Sequence, residues 1–213
     1  MDNAVIHALV ARNPEMSDVD RLVNLYWALS SVLVAEVEGA IVELGCNAGK
    51  TSVFLQMLID HFAPQRALHL YDSFEGLPTP GADDPFLQAG DLKATRDDVE
   101  REFAHWGLTQ PHIHEGWFEQ TLTAFCPSPI AFAYLDGDYY ASILTSLEWI
   151  YPRLSRHGII LVDDYCDRAR NPRAWDQTPG VKKACDDFLS GKPERFSVLV
   201  GTGDLAFGLL RKQ

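Results

Sequence analysis

The sequence predicts an α/β fold, a mostly parallel sheet with helices on its faces and an antiparallel hairpin at the C-terminus. Three observations carry this. Short apolar runs alternate with segments whose apolar residues recur at helical spacing. Two of the runs, Ile130-Ala131-Phe132-Ala133-Tyr134-Leu135 and Ile159-Ile160-Leu161-Val162, are separated by an amphipathic segment from Ser142 to Leu154, which makes a βαβ unit with parallel, neighbouring strands. Finally, Arg195 to Val200 and Leu205 to Leu210 flank Gly201-Thr202-Gly203-Asp204, the pattern of an antiparallel hairpin.

Taken in order, Ser17 to Glu36 is a helix with Ser17 as its N-cap, within a leading helical segment, 1–38. Its apolar arc, which includes Leu25, Tyr26, Trp27, Leu29, Val32, Leu33 and Val34, exceeds what one sheet face needs, so a homodimer is expected. The α/β core, 39–213, opens with the strand Ala40 to Leu44. A glycine turn, Gly45 to Gly49, then leads into a helix from Lys50 to His61. Ala67 to Asp72 is the second strand, and Ser73 to Leu92 is rich in turn formers and reads as loop. A helix from Thr95 to Trp106 and a short strand from Pro111 to His114 precede the βαβ unit. An irregular insertion, Asp167 to Gln177, follows it, then a helix opened by Thr178-Pro179 and ending near Ser190. No repeat or internal boundary appears, so one domain over 1–213 is expected.

Composition narrows the partners. Thirty acidic against 18 basic residues give a net charge of −12, which argues against nucleic acid or an anionic membrane surface. Cys46, Cys126, Cys166 and Cys185 contain no C-x-x-C pair, so neither a zinc site nor a disulfide framework is indicated, and a reducing cytoplasm is expected. The first residues lack a basic region followed by an apolar core, and no run reaches the length of a membrane span. His112 and His114 share a strand face, where a structural role is expected.

The chemistry gathers at the ends of two strands. One apolar run stops on Asp136 and Asp138, the other on Asp163 and Asp164, and parallel neighbours roughly 4.8 Å apart bring all four carboxylates to one sheet edge. No Lys or Arg lies within either cluster. Crowded like charges raise one another's pKa unless a cation intervenes, and Mg2+ is the simplest such cation. Ligands of open α/β sheets also bind at this edge.

The turn Glu43-Leu44-Gly45-Cys46-Asn47-Ala48-Gly49-Lys50-Thr51 admits three readings. A dinucleotide fingerprint needs a glycine where Asn47 stands. A P-loop needs one more residue between the glycines, although Gly49-Lys50-Thr51 resembles its end, so a nucleotide-binding module remains the rival reading. The pattern E-x-G-x-x-x-G fits the first strand end of a class I methyltransferase. Its companion is Asp72, placed where a carboxylate accepts hydrogen bonds from both hydroxyls of a ribose.

Together with Tyr71 to Pro78, Glu115 to Leu122, Leu135 to Tyr140, Val162 to Tyr165 and Pro179 to Phe188, these residues make the chain resemble the macrocin O-methyltransferase family, which methylates sugar hydroxyls of antibiotics. The resemblance implies a class I methyltransferase fold, Rossmann-like, with a seven-stranded sheet, S-adenosylmethionine as methyl donor, a Mg2+ site and a homodimer. By motif, Asp136, Asp163 and Asp164 would hold the metal and Asp138 would be the general base. Glu43, Gly45, Asn47, Gly49, Thr51, Asp72, Ser73 and Asp136 would line the donor site, with Gly116 and Trp117 near the adenine. The acceptor implied is a sugar-bearing small molecule. The chain departs from many relatives in its Gly-Cys-Asn-Ala-Gly turn and its shorter N-terminus. A methyltransferase-like protein without catalysis is a further alternative, against which Asp138 argues.

Overall fold

The computed structural model describes residues 3–14 and 16–213; Met1, Asp2 and Glu15, part of the segment read for a leader, lie outside the described residues. Strand β1 (Ala40–Leu44) is buried from Ile41 onward, as a strand covered on both faces requires. It pairs in parallel with β2 (Leu68–Asp72) and β4 (Ile130–Leu135). Outward from these, β3 (His112–Glu115) joins β2 and β5 (Leu154–Val162) joins β4, both in parallel. The C-terminal hairpin, β6 (Ser197–Leu199) and β7 (Phe207–Arg211), is antiparallel and docks through β7 onto β5. The sheet order is β3-β2-β1-β4-β5-β7-β6.

Period-two alternation splits the core into two layers. Phe132 and Tyr134 of β4 face one side, where α1 (Asn3–Arg12), α2 (Val19–Val34), α3 (Ser52–Phe62) and α4 (Arg96–Trp106) pack. Ala133 and Leu135 face the other, against α5 (Phe118–Ala124), α6 (Tyr140–Arg153) and α7 (Pro179–Leu189). Phe54, Phe132 and Phe207 are fully buried, each a contribution of roughly 1.5–3 kcal/mol.

Several boundaries differ from expectation. Helix α2 is capped by Asp18, whose carboxylate accepts the Arg21 amide at 2.7 Å, rather than by Ser17. Helix α6 begins at Tyr140, earlier than Ser142. It ends at Arg153 beyond Pro152, and the chain enters β5 directly, with an irregularity in the register opposite Ile130 to Phe132. Helix α1 falls within the leading helical segment, where only Ser17 to Glu36 was delimited, and α5, which spans only seven residues, has no counterpart in the sequence pattern.

On α2, the residues Leu25, Leu29, Val32 and Leu33 are consumed by the core, while Val19, Val23, Trp27 and Val34 remain exposed. All four cysteines are free. Among the described residues no helix is long and apolar enough to cross a membrane. On β2 and β3, His69 stacks with His112 and His114, Phe125 stacks on His69 and His114, and His69 Nδ1 lies 3.0 Å from His114 Nε2.

Candidate active site

A cavity of about 650 Å3 opens at the carboxyl ends of β1, β2, β4 and β5. The loop after β2 contributes Ser73, Gly76, Leu77, Pro78, Leu87 and Leu92, and the insertion after β5 contributes Trp175. Its N-terminal wall runs from Asn13 and Pro14 through Asp18 to Arg21.

On the β1 and β2 side, glycine is mandatory at 45. Gly45 has φ 92°, and a Cβ there would stand 1.8 Å from the Asp136 carbonyl oxygen, so the backbones after β1 and β4 pass without room for a side chain. At Gly49, φ is 74° and a Cβ would press on Val99 of α4. Between them, Asn47 at φ 46° donates its amide to Asp72 Oδ2 at 2.8 Å, and Phe74 donates to Asp72 Oδ1 at 2.8 Å. The carboxylate is thereby oriented, with lone pairs left for hydroxyl donors. Burial raises the Asp72 pKa against these amides. Glu43 is buried in the same wall, and burial pushes it up to about 8; its Oε2 has no partner. Thr51 and Ser73 line the cavity, and Ser73 Oγ also accepts the Glu75 amide at 3.0 Å. Gly116 follows β3 with φ 137° and donates to the Asp72 carbonyl, which brings Trp117 to the cavity rim beside Asp72. A bound nucleoside fits this wall: an oriented carboxylate, a turn without side-chain bulk and an unpartnered buried acceptor.

On the β4 and β5 side, Asp136 donates its amide to the Leu44 carbonyl and Asp163 its amide to the Leu135 carbonyl, both at 2.8 Å. The ladders therefore run one residue past the strands and align the two acidic pairs. Asp138 and Asp164 have φ 56° and 60°, left-handed backbone that is uncommon outside glycine and that aspartate tolerates better than most residues. One oxygen each from Asp136, Asp138 and Asp164 lies within 4.8 Å of the others. Burial, then Asp163, raises the pKa of Asp136 and Asp164 well above the carboxylate range, and the same causes with Asp72 bring Asp138 to about 7. Asp72, at the end of β2, is among the charges that raise Asp138.

The fourth carboxylate behaves differently. Asp163, expected with Asp136 and Asp164 as a metal ligand, accepts Arg21 Nη1 and the Asp164 amide on Oδ1 and the Tyr134 hydroxyl on Oδ2. Arg21 Nη2 stands 3.7 Å from Asp164 Oδ1. Burial works against the Arg21 charge, but Asp163, Tyr134 and Asp164 outweigh it and hold the guanidinium protonated. Carboxylate oxygens from Asp136 and Asp164, with Asp138 converging on them and one guanidinium against four acids, fit a hard divalent cation.

Arg21, Tyr134 and Asp84 escaped the sequence reading. Asp84, buried in the loop after β2, accepts the Tyr140 amide at 2.9 Å and so caps α6 from outside its own segment. For Arg21 one faint signal existed, since a cation in the first turn of a helix opposes the helix dipole unless an anion answers it.

Five parallel strands, an antiparallel pair at one edge, a glycine turn after β1 and an acid ending β2 define the class I S-adenosylmethionine-dependent methyltransferase fold. The structure is similar to that of the O-methyltransferase NovP, with a TM-score of 0.77 at 25% identity, covering 93% of this chain and 81% of that one. A family model, Macrocin-O-methyltransferase (TylF), matches residues 12–188, and the chain belongs to this family. It is 34% identical over 161 residues to the 8-demethyl-8-(2,3-dimethoxy-alpha-L-rhamnosyl)-tetracenomycin-C 4'-O-methyltransferase of Streptomyces olivaceus, covering 70% of this chain and 62% of that protein. It is 30% identical over 164 residues to the mycinamicin III 3''-O-methyltransferase of Micromonospora griseorubida, covering 71% and 65%. The chain thus spans less than two thirds of the length of these curated relatives.

Proposed function

We infer that the chain is an S-adenosylmethionine-dependent O-methyltransferase that uses Mg2+ and methylates a hydroxyl of a sugar or similar polyol on a natural product or glycan. The observation that carries this is the convergence of Asp136, Asp138 and Asp164 in the cavity that also holds Asp72 and the Gly45 turn. Membership in a methyltransferase family and the sugar-directed names of the relatives support the donor and the acceptor class.

In this reading Asp72 accepts the ribose hydroxyls, Gly116 and Trp117 flank the adenine, and the Gly45 to Gly49 turn admits the rest of the donor beside Glu43, Asn47, Thr51 and Ser73. Asp136 and Asp164 hold the cation, with Asp163 set aside by its own donors. When bound, the cation supplies positive charge that lowers the pKa of an acceptor hydroxyl. Asp138, which converges on Asp136 and Asp164 in the same cavity, takes the hydroxyl proton as the methyl group is transferred. The donor is intrinsically reactive, so the chain's main work is alignment of the two substrates within the cavity. The loop after β2 and the insertion after β5 close over the acceptor.

The test compares Asp136→Asn, Asp164→Asn and Asp138→Asn for Mg2+ binding and for turnover on a panel of natural-product glycosides. The first two lose both; Asp138→Asn loses turnover and keeps the metal. Equal loss of metal affinity in all three would make Asp138 a ligand. Thermal melting with S-adenosylhomocysteine or with ATP and Mg2+ separates this reading from a nucleotide-binding module, because only the true ligand raises the melting temperature. The reading extends to a cytoplasmic homodimer joined across the exposed Val19, Val23, Trp27 and Val34 of α2. Light scattering that returns a monomer at high concentration counts against that assembly. The net charge of −12 supports an acceptor that is neither nucleic acid nor membrane.

A further inference from the structure

A line of contacts runs from the start of α2 to the acidic cluster. Arg21 belongs to the first turn of α2, and two neighbours pin that turn. Asp18 accepts the Arg21 amide at 2.7 Å, and Asp20 Oδ2 accepts the Thr202 amide, the Thr202 hydroxyl at 2.9 Å and the Gly203 amide at 3.0 Å. The guanidinium is 5.4 Å from the centroid of the Phe207 ring, and the side chain is only 16% exposed. From there it reaches Asp163, which also takes the Tyr134 hydroxyl at 2.5 Å and the Asp164 amide at 2.8 Å. Asp163 therefore has both oxygens occupied, whereas Asp136, Asp138 and Asp164 converge without it. The bond to the Asp164 amide falls where the backbone turns left-handed, at φ 60°.

We propose that Arg21 is a positioning residue of the acidic centre: by fixing the Asp163 carboxylate, it sets the backbone turn that presents Asp164 to Asp136 and Asp138. The inference rests on the reading that this cluster holds a divalent cation. It makes the helix before the sheet part of the cation site, because the guanidinium comes from α2 and the carboxylates from β4 and β5. It also predicts a direction. An arginine that merely competed with the cation for Asp163 would weaken cation binding, and one that merely braced α2 would leave it unchanged; a positioning arginine strengthens it.

Arg21→Lys keeps the charge but loses the planar fork that spans Asp163 and Asp164. Tyr134→Phe removes the other side-chain donor to Asp163 at nearly constant volume and charge. The experiment titrates Mg2+ calorimetrically into the full chain saturated with S-adenosylhomocysteine, for the wild type and both variants, below the melting temperature of each. The expected result is Mg2+ affinity about tenfold weaker in both variants, the order seen when groups that orient metal ligands are lost, with unchanged affinity for S-adenosylhomocysteine. Unchanged Mg2+ affinity in folded Arg21→Lys overturns the inference and leaves Arg21 a brace. Tighter binding overturns it and makes Asp163 a ligand. Should Arg21→Lys fail to fold, Tyr134→Phe decides by the same criterion. A wild type that binds S-adenosylhomocysteine but no Mg2+ sinks the cation reading itself, and this inference with it.

Discussion

Replacing Asp72 with alanine removes one side chain and two separable functions. The carboxylate accepts the Asn47 and Phe74 amides, each at 2.8 Å, and so braces the turn after β1 and the loop after β2. Stranding two part-buried amides that water still reaches costs about 1 kcal/mol each, at the low end for unsatisfied groups. For a chain of this size that lowers the melting temperature by roughly 4–8 °C. In the proposed donor complex the same carboxylate would make charge-assisted bonds to the ribose, worth about 1.5–3 kcal/mol, so affinity for S-adenosylhomocysteine should fall roughly 10- to 150-fold. Calorimetry below both melting temperatures reads the second effect free of the first. Asp72→Asn, which keeps one acceptor oxygen, should fall between. A lowered melting temperature with unchanged ligand affinity refutes the donor role and leaves Asp72 a brace for the turn.

Gly45→Ala places a Cβ 1.8 Å from the Asp136 carbonyl at φ 92°, so it should lower the melting temperature and abolish S-adenosylhomocysteine binding together; wild-type melting would contradict the close approach. Burial pushes Glu43 up to about 8, so between about 4.5 and 8 the folded state holds a proton that the unfolded state does not. That stabilising contribution is complete below 4.5 and is lost as pH rises through 8; Glu43→Gln should flatten the fall of melting temperature between pH 4.5 and 8, and parallel profiles would exclude the effect. His69 shows the opposite sign. Burial, then His112 and His114, push it down to about 4, so its contribution is present above 6.5 and lost as pH falls through 4. His69→Leu should therefore lose less melting temperature than the wild type between pH 6.5 and 4, and an equal loss would show that the histidine stack is not responsible.

Much of this architecture was legible because its signals are local. Burial on both faces makes β4 and the last four residues of β5 continuous apolar runs, and a crossover helix between them obliges both strands to end at one edge, so Asp136, Asp138, Asp163 and Asp164 were expected together. The glycine turn and Asp72 were equally readable, since β1 and β2 are parallel neighbours joined by one helix. What the pattern left open was how the four carboxylates divide. The flanking sequence holds no basic residue beside them, yet Arg21 reaches Asp163 from 142 positions earlier in the chain. Asp84 caps α6 across 56 positions, and His69 meets His114 only because β2 and β3 pair. Hydrophobic period determines which face of an element is buried, and the crossover rule determines where strands end. Which polar side chain arrives from another element depends on how α2 is angled and seated over β5 and β7, a result of packing the whole core that no local spacing encodes.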